Sequence, residues 1–196
     1  MWGAVAKTYL AEKLNVDPAN MFSVSVMPCT AKKYECERPE FIASGHQDVD
    51  LVITTRELAQ MIKDAGIDFM GLPDEEADRF VGLSTGAATI FGATGGVMEA
   101  ALRTAYEILS GESLGKLEFD AVRGLDPVRE AIVEVPVKAL GTSLPVSVCI
   151  VTGTKHVASV IEDVLAGRSK YHFIEVMNCP GGCINGGGQP IHRDTY

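Results

Sequence analysis

The sequence predicts an α/β fold in which a mostly parallel sheet, or sheets, is flanked by helices. Strand-like apolar runs alternate along the chain with segments of helical spacing, which is typical of β-α units. The run at residues 146–151 is almost entirely apolar, as expected for a strand that is buried on both faces. Cysteines follow two of the strand-like runs, where open α/β sheets place their functional sites.

The first quarter of the chain predicts a helix, two strands and a second helix. Apolar residues at helical spacing predict a helix over residues 4–14, and alternation predicts a strand over 21–27. A short apolar strand is predicted over 49–53. Thr54 and Glu57 then have the spacing of a capping box, which predicts that a helix begins there and ends near residue 65.

The middle of the chain predicts two helices separated by a loop. A short helix is predicted over residues 74–80, a loop rich in Gly, Ala and Thr over 84–96, and an amphipathic helix over 97–109. The acidic residues of that last helix, Glu99 among them, are expected on a solvated face. The Gly95-Gly96 pair at its start could present N–H groups to an anion, or could allow tight packing.

The last third repeats the alternation of strands and helices. Strands are predicted over residues 131–137 and 146–151, and a last strand over 171–177. Between them, Thr154 is expected to cap a helix that runs to about residue 165 and that Gly167 ends. Such an order places the chain's second half in the same fold class as its first.

Composition and charge exclude several classes of protein. The net charge is −9 and the basic residues do not cluster, which argues against a nucleic-acid surface. No apolar run reaches the roughly 18 residues that suggest a membrane span. The first residues lack the pattern of a secretory signal, so we expect a cytoplasmic protein. An odd number of cysteines, five, then favours metal binding or thiol chemistry over disulfides.

Two cysteine loops begin alike. Met27 precedes Cys29 by two residues, Met177 precedes Cys179 in the same way, and Cys183 follows at C-x₃-C spacing. Three thiols beside a glycine-rich segment predict a site for a soft metal, because glycines let N–H groups approach sulfur closely. The spacing alone is compatible with an iron–sulfur cluster, with zinc, or with structural or redox thiols.

The remaining candidate ligands have simpler interpretations. Cys36 lies in polar sequence outside the motif, and Cys149 lies within an apolar strand, where a free thiol behaves as a small hydrophobe. The four histidines share no metal-binding spacing with each other or with the cysteines, and we expect them to be structural or solvated. They are His46, His156, His172 and His192.

Three long strings make the chain similar to a known family. MPCTAKK at 27–33, FGATGGVMEAALRTAYE at 91–107 and EVMNCPGGCINGGGQP at 175–190 resemble the active-site domain of the [FeFe]-hydrogenases, also called iron-only hydrogenases. The likeness covers residues 2–196 and includes the second and third signature motifs. The first motif, a Cys-Cys-Pro string, is absent. We therefore expect residues 1–196 to be part of a single H-cluster domain, without that segment and without the family's C-terminal tail.

The resemblance implies a reaction and a cofactor. The family interconverts protons and H₂ at the H-cluster, a [4Fe–4S] cube joined by a cysteine thiolate to a two-iron unit with CO, cyanide and a bridging dithiolate amine. The resemblance implies that Cys29, Cys179 and Cys183 ligate the cube, with Cys183 shared with the two-iron unit. It also implies that Lys32 donates to a cyanide, so that Lys32 and Cys183 are the catalytic residues.

The same resemblance implies an enclosure for the cofactor and a set of partners. The residues expected to border the two-iron unit are Met27, Pro28, Phe91, Gly92 and Met177. A ferredoxin or an Fe–S domain or subunit would exchange electrons, and maturation proteins would deliver the two-iron unit. Two alternatives stay open: a non-catalytic cluster-binding relative that acts in Fe–S assembly or sensing, and an inactive fragment without metal.

Overall fold

The computed structural model describes residues 1–80, 82, 86–112 and 126–191, and the chain divides into two compact units. Unit 1 comprises Met1–Leu83 and Gly186–Tyr196, and unit 2 comprises Ser84–Asn185. The helices are α1 (Trp2–Val5), α2 (Ala11–Leu14), α3 (Lys32–Glu35), α4 (Thr55–Asp64), α5 (Ala87–Ile90), α6 (Gly96–Ser110) and α7 (Val157–Leu165). The strands are β1 (Val24–Met27), β2 (Leu51–Thr54), β3 (Val128–Val137), β4 (Thr142–Thr152) and β5 (Phe173–Met177). Within the described ranges, no helix combines the length and apolar character that crossing a bilayer would require.

Unit 1 contains a two-stranded parallel sheet. Strands β1 and β2 pair in the register Val24 to Leu51 and Met27 to Thr54, so their carboxyl ends lie side by side. The predicted strands are confirmed, although each is shorter than the apolar run that predicted it. The capping box is confirmed as well, because the Thr54 hydroxyl accepts the Glu57 N–H while Glu57 accepts the Thr54 N–H.

The helix predicted at the start of the chain is confirmed, but it is interrupted. A π-helical turn over Ala6–Leu10 separates α1 from α2. This turn buries Lys7, whose side chain is only 2% exposed. The Lys7 ammonium donates to the Gln47 carbonyl and to the Asp50 carboxylate, each at 2.6 Å. The buried ammonium thus has both an ion-pair partner and a hydrogen-bond acceptor.

Unit 2 contains a three-stranded sheet in the order β3-β4-β5. Strands β4 and β5 are parallel, whereas β3 and β4 are antiparallel. The prediction of mostly parallel pairing is confirmed, since two of the three strand pairs in the two sheets are parallel. The exception follows from the connection between β3 and β4, a single 3₁₀ turn over Lys138–Leu140, because so short a link can join only antiparallel strands.

Helices pack on both faces of this sheet, because alternate residues of β4 belong to two different cores. One core joins α6 to β4 and the other joins α7 to β4. Their buried residues are Met98, Leu102, Val148 and Ile150 in the first and Cys149, Val151 and Val160 in the second. Cys149 is fully buried, and burial raises the pKa of its thiol. The prediction that this thiol serves as a small hydrophobe is confirmed.

Two predictions from the middle of the chain are wrong. Residues 74–79 form no helix, because the acidic run offers no apolar face that tertiary packing could bury. Glu99 is not solvated: its side chain is 4% exposed, and its carboxylate forms a salt bridge with Arg103 one turn along α6 and accepts a hydrogen bond from it. The helix predicted over 97–109 is confirmed as α6. The predicted loop over 84–96 contains α5, and its first two residues lie outside the described ranges.

The start predicted for the next helix is wrong too. Thr154 opens a 3₁₀ turn, and α7 begins only at Val157 without a side-chain cap. The Thr154 hydroxyl donates instead to the Asn178 side chain at 3.3 Å. The predicted end of this helix is confirmed, because Gly167 adopts a φ of +68° just past the last helical turn.

Removal of one member of the buried ion pair of Lys7 should destabilise unit 1. Burial raises the pKa of Asp50, but hydrogen bonds from Lys7 and the Ser23 N–H outweigh burial and hold that pKa below its ordinary value. We expect Lys7→Met to lower the free energy of unfolding by about 3 kcal/mol, because it leaves the carboxylate without its cation. The control is Lys13→Met, since Lys13 is exposed.

The measurement is urea unfolding followed by the fluorescence of Trp2, the single tryptophan. The pKa of Asp50 is lowered by folding, so its contribution is complete above its unfolded pKa of about 3.9 and is lost as the pH falls through the folded value. The difference between wild type and Lys7→Met should therefore shrink below about pH 4. Equal losses for Lys7→Met and Lys13→Met would contradict this account.

Candidate metal centre

The first cysteine loop leaves the carboxyl end of β1 in unit 1. The strand ends at Met27, and Pro28 and Cys29 precede the short helix α3, which begins at Lys32. Cys29 is a free, partly buried thiol. Met27 and Lys32 line a cavity of about 420 Å³ in this unit, and Cys36 lines it as well. In the part of the chain that the structure describes, the Lys32 ammonium has no salt-bridge or hydrogen-bond partner.

The neighbouring lysine is held differently. Lys33 forms a salt bridge with Glu57 at 2.8 Å, which joins α3 to the first turn of α4. The hydrogen bond from Lys33, followed by those from the N–H and hydroxyl of Thr54, lowers the pKa of Glu57 to about 2. Of the two motif lysines, Lys33 is therefore engaged in an ion pair, whereas Lys32 has no such partner among the described residues.

The glycine string of the third motif contacts the first cysteine loop. Gly186–Gly188 belongs to unit 1, where the Gly188 N–H donates to the Pro28 carbonyl at 2.7 Å. Arg56 donates through its backbone to Gly188 and through its guanidinium to Gly187. A Cβ at Gly188 would lie 2.6 Å from the Thr54 methyl group, so only glycine fits there. The second and third motifs are thus joined through backbone groups.

The second cysteine loop leaves the carboxyl end of β5 in unit 2. The Met177 carbonyl accepts the Gly153 N–H at 2.7 Å, and the Asn178 side chain accepts from both the N–H and the hydroxyl of Thr154. The Gly182 N–H then donates to the Cys179 carbonyl at 3.0 Å, which closes a turn before Cys183. The turn after β4 therefore fixes the start of the cysteine loop.

The segment Phe91–Gly95, which precedes α6, packs directly on the second cysteine loop. The Thr94 N–H donates to the Gly181 carbonyl at 3.1 Å, and the Ile184 N–H donates to the Gly92 carbonyl at 3.0 Å. Gly182 has a φ of +99°, and a Cβ there would lie 2.4 Å from the Gly92 carbonyl oxygen. Contact this close between the two backbones requires a residue without a side chain.

The start of α6 shows that both expectations for the glycine pair hold. The Gly95 N–H binds an anion, but that anion is the protein's own Glu175 carboxylate, which also accepts the Met98 N–H. A Cβ at Gly96 would lie 1.7 Å from the Ile90 carbonyl oxygen, so tight packing applies as well. Sequence reasoning gave no role to Glu175; its place at the head of the third motif was the available signal.

The predicted site residues divide between the two units. Met27, Pro28, Cys29 and Lys32 share one loop of unit 1, and Phe91, Gly92, Met177, Cys179 and Cys183 lie on two contacting segments of unit 2. Among the described residues of either unit, no three His, Cys, Asp or Glu side chains form a set that could hold a metal ion. The complete ligand set stays a prediction.

The residues present nevertheless suit an iron–sulfur group chemically. The donors are thiols outside any disulfide, the adjoining backbone is glycine with no room for a Cβ, and the partly buried Lys32 lies nearby in sequence. The other thiols have structural accounts: Cys36 donates to the Lys33 carbonyl, and Cys149 lies in a core. His172 accepts the Ser147 N–H, as expected of a structural histidine, and His192 lies outside the described residues.

Comparison with known proteins defines the family. A family model described as the iron-only hydrogenase large subunit, C-terminal domain, matches residues 1–187. The chain is 57% identical to the periplasmic [Fe] hydrogenase large subunit of Nitratidesulfovibrio vulgaris, over 97% of this chain and 44% of that protein. The solved structure of the [FeFe]-hydrogenase HydA(deltaEFG) matches with a TM-score of 0.74 and 37% identity, over 98% of this chain and 54% of that one.

A more distant branch also matches. The chain is 32% identical to the cytosolic iron-sulfur assembly component 3 of Pongo abelii, over 95% of this chain and 39% of that protein. The chain belongs to the family formed by the C-terminal domain of iron-only hydrogenase large subunits, and it has the fold of that family. It spans less than half the length of the Nitratidesulfovibrio and Pongo relatives.

The close contact between the two backbones predicts that two glycine substitutions in unit 2 differ in their cost to the free energy of unfolding. Gly182→Ala should lower the free energy of unfolding by about 2 kcal/mol more than Gly167→Ala. Both glycines have positive φ, so both variants carry conformational strain, but a Cβ at Gly167 meets nothing within 4 Å, whereas one at Gly182 meets the Phe91–Gly95 segment. Urea unfolding followed by circular dichroism measures the difference. Equal costs would show that the close approach does not constrain the loop.

Proposed function

We propose that this chain forms part of an iron-only hydrogenase catalytic domain, which holds the H-cluster and interconverts protons and H₂. The observation that carries the proposal is the pair of cysteine loops, each at the carboxyl end of a strand and each built from a signature motif of the family. When bound, the H-cluster supplies the redox chemistry at iron. The protein's part is to ligate, orient and shield that group.

Three thiols hold the cube in this proposal. The ligands are Cys29, Cys179 and Cys183, with Cys183 shared with the two-iron unit. Thiolates are the usual ligands of such clusters. Support comes from the loops themselves, because the backbone on both sides of each loop is fixed by hydrogen bonds. The family's Cys-Cys-Pro segment would provide the fourth ligand and a thiol for proton transfer.

Lys32 binds a cyanide of the two-iron unit in this proposal. Lys32 is a partly buried residue whose ammonium has no partner among the described residues, so its donors are available to a bound anion. An anionic acceptor gives a charge-assisted hydrogen bond, which is stronger than a neutral one. Lys33 cannot take this role as readily, because it already pairs with Glu57.

Five further residues border the two-iron unit in this proposal, and they limit water and tune the iron. They are Met27, Pro28, Phe91, Gly92 and Met177. Both methionines end a strand, so their positions are set by the sheets. Phe91 is half-exposed, which leaves its ring free to cover a bound group.

Electrons reach the domain from a ferredoxin or from an Fe–S domain or subunit, and maturation proteins insert the two-iron unit. Family membership supports the proposal of such partners. A cytoplasmic location stays a prediction, since one relative is named a periplasmic large subunit.

A second candidate is a cluster-binding protein that serves Fe–S assembly, because the chain also matches a cytosolic iron-sulfur assembly component. The hydrogenase relative is more similar, at 57% against 32% identity. The chain also keeps Lys32, Met27 and Met177, the residues that would serve the two-iron unit. These observations favour the catalytic candidate.

Metal analysis and infrared spectroscopy separate the candidates. The chain is studied alone and together with a polypeptide that carries the Cys-Cys-Pro motif, after reconstitution with iron, sulfide and the two-iron unit. CO and cyanide stretches with H₂ evolution in the completed protein support a hydrogenase. Iron and sulfide without those stretches indicate the assembly-type candidate, and no iron in either sample would refute both. We expect no H₂ evolution from the chain alone, because three protein thiolates leave one iron open.

Substitutions in the completed domain test the assignment of ligands. Cys183→Ser should abolish occupancy by the two-iron unit, because an alkoxide is a poorer bridge between irons than a thiolate. Lys32→Ala should leave cube content unchanged and lower two-iron occupancy, since it removes a charged donor. The matched controls are Cys36→Ser and Cys149→Ser, of which the second should lower stability only, because it buries a hydroxyl. Loss of iron from Cys36→Ser with retention in Cys183→Ser would contradict the assignment.

A further inference from the structure

Glu175 is a buried carboxylate that neither the predicted ligand set nor the proposed cofactor enclosure includes. Its residue is 5% exposed and lies in the middle of β5. One oxygen accepts the Gly95 N–H and the other accepts the Met98 N–H, both at 2.7 Å. Both donors belong to the start of α6, where free N–H groups and the helix dipole attract a negative charge.

A positive charge lies across the same sheet. Ile150 of β4 pairs with Arg129 on one side and with Glu175 on the other, which places the two charged residues on one face. Burial lowers the pKa of Arg129, while the charges of Asp126 and Glu175 act in the opposite direction. Among the described residues the Arg129 guanidinium makes no hydrogen bond, so the direct partners of Glu175 are the two N–H groups of α6.

These bonds close a ring of contacts within unit 2. The strand that carries Glu175 continues into the Cys179–Cys183 loop. That loop and the residue after it, Ile184, are hydrogen-bonded to the Phe91–Gly95 segment, and this segment leads into α6. The start of α6 returns to β5 through Glu175. The other hydrogen bonds named in this ring are made by backbone, so replacing the Glu175 side chain opens it.

We infer that Glu175 is a positioning residue for the iron site, an inference that rests on the proposed function. Its carboxylate holds the start of α6 on β5, and thereby holds the Phe91–Gly95 segment against the loop that carries Cys179 and Cys183. The residue itself touches no cofactor in this role. It acts through the backbone conformation of the loop, and hence through the directions in which the two thiols point.

Both Glu175 oxygens accept an N–H, so Glu175→Gln tests the ring by replacing one acceptor with a donor. Glutamine has nearly the same shape, but one of its two positions carries an NH₂ group, which would face an N–H donor. One of the two hydrogen bonds is lost, and the start of α6 is pushed away from β5. Glu175→Asp keeps the charge and both oxygens but retracts them by one methylene, so it offers a milder variant should the first fail to fold.

Glu130→Gln is the matched control. Glu130 is also a carboxylate on a strand of this sheet, and it accepts hydrogen bonds from Lys170 and Tyr171. Its partners are side chains outside the ring, so the substitution disturbs the sheet without opening the ring. Glu175→Gln and Glu130→Gln are compared under conditions in which both have lost the same thermal stability. A difference between them then reflects positioning by Glu175 and not a general loss of structure.

The first measurement is amide hydrogen exchange at Ile184 in the iron-free full chain, which is independent of the proposed function. Ile184 donates to the Gly92 carbonyl rather than to Glu175, so its protection reports on the ring. Exchange at Ile184 should be about 10-fold faster in Glu175→Gln than in Glu130→Gln, because loss of a hydrogen bond to a charged group makes local opening easier. Equal exchange would overturn the inference even if the protein binds iron as proposed.

The second measurement is iron release to a chelator from the full chain completed by the Cys-Cys-Pro polypeptide. Loss of cluster should be about 10- to 100-fold faster in Glu175→Gln than in wild type, with an altered electron paramagnetic resonance line shape. Glu175→Asp should lie between the two, and Glu130→Gln should match wild type. Wild-type release rates in Glu175→Gln, despite faster exchange at Ile184, would overturn the link to the iron site. If wild type itself binds no iron, the proposed function is refuted. The ring of contacts is still tested by the exchange result, which is measured without iron.

Discussion

The absence of a side chain at Gly182 is the constraint on which the second unit depends. Without a Cβ, the cysteine loop and the segment before α6 approach until their backbones exchange hydrogen bonds. These contacts hold the loop against the segment before α6, and the thiols on either side of Gly182 lie within that loop. A glycine placed this way suits the proposed iron–sulfur site, because such a site needs an open loop whose backbone is nevertheless fixed.

Local signals predicted the parts of the structure that local physics determines. The capping box at Thr54, the helix α6 and the buried strand β4 were predicted from residues a few positions apart, and all three are confirmed. The position of each cysteine loop after a strand followed from the same reasoning. The chemistry proposed for the site depends on the motifs, because three thiols alone are compatible with more than one metal.

Contacts between distant residues account for most of what the sequence did not predict. Glu175 and Gly95 are 80 residues apart, and Arg56 and Gly187 are 131 apart, so no window of the sequence contains either pair. The burial of Glu99 depends on the packing of α6, and the missing helix at residues 74–79 depends on the lack of anything to pack against. Helix propensity and charge describe a segment in isolation, whereas these outcomes are set by its neighbours.

The alternation along β4 has a consequence for how this domain can change over evolutionary time. Neighbouring residues of that strand belong to different cores, one under α6 and one under α7. Loss or gain of a single residue would exchange the two faces and leave both cores mismatched at once. Loss of two residues would preserve the faces but would shift Ile150 away from its paired neighbours on β3 and β5. Length in this strand is therefore far less free to vary than the identity of any one apolar side chain.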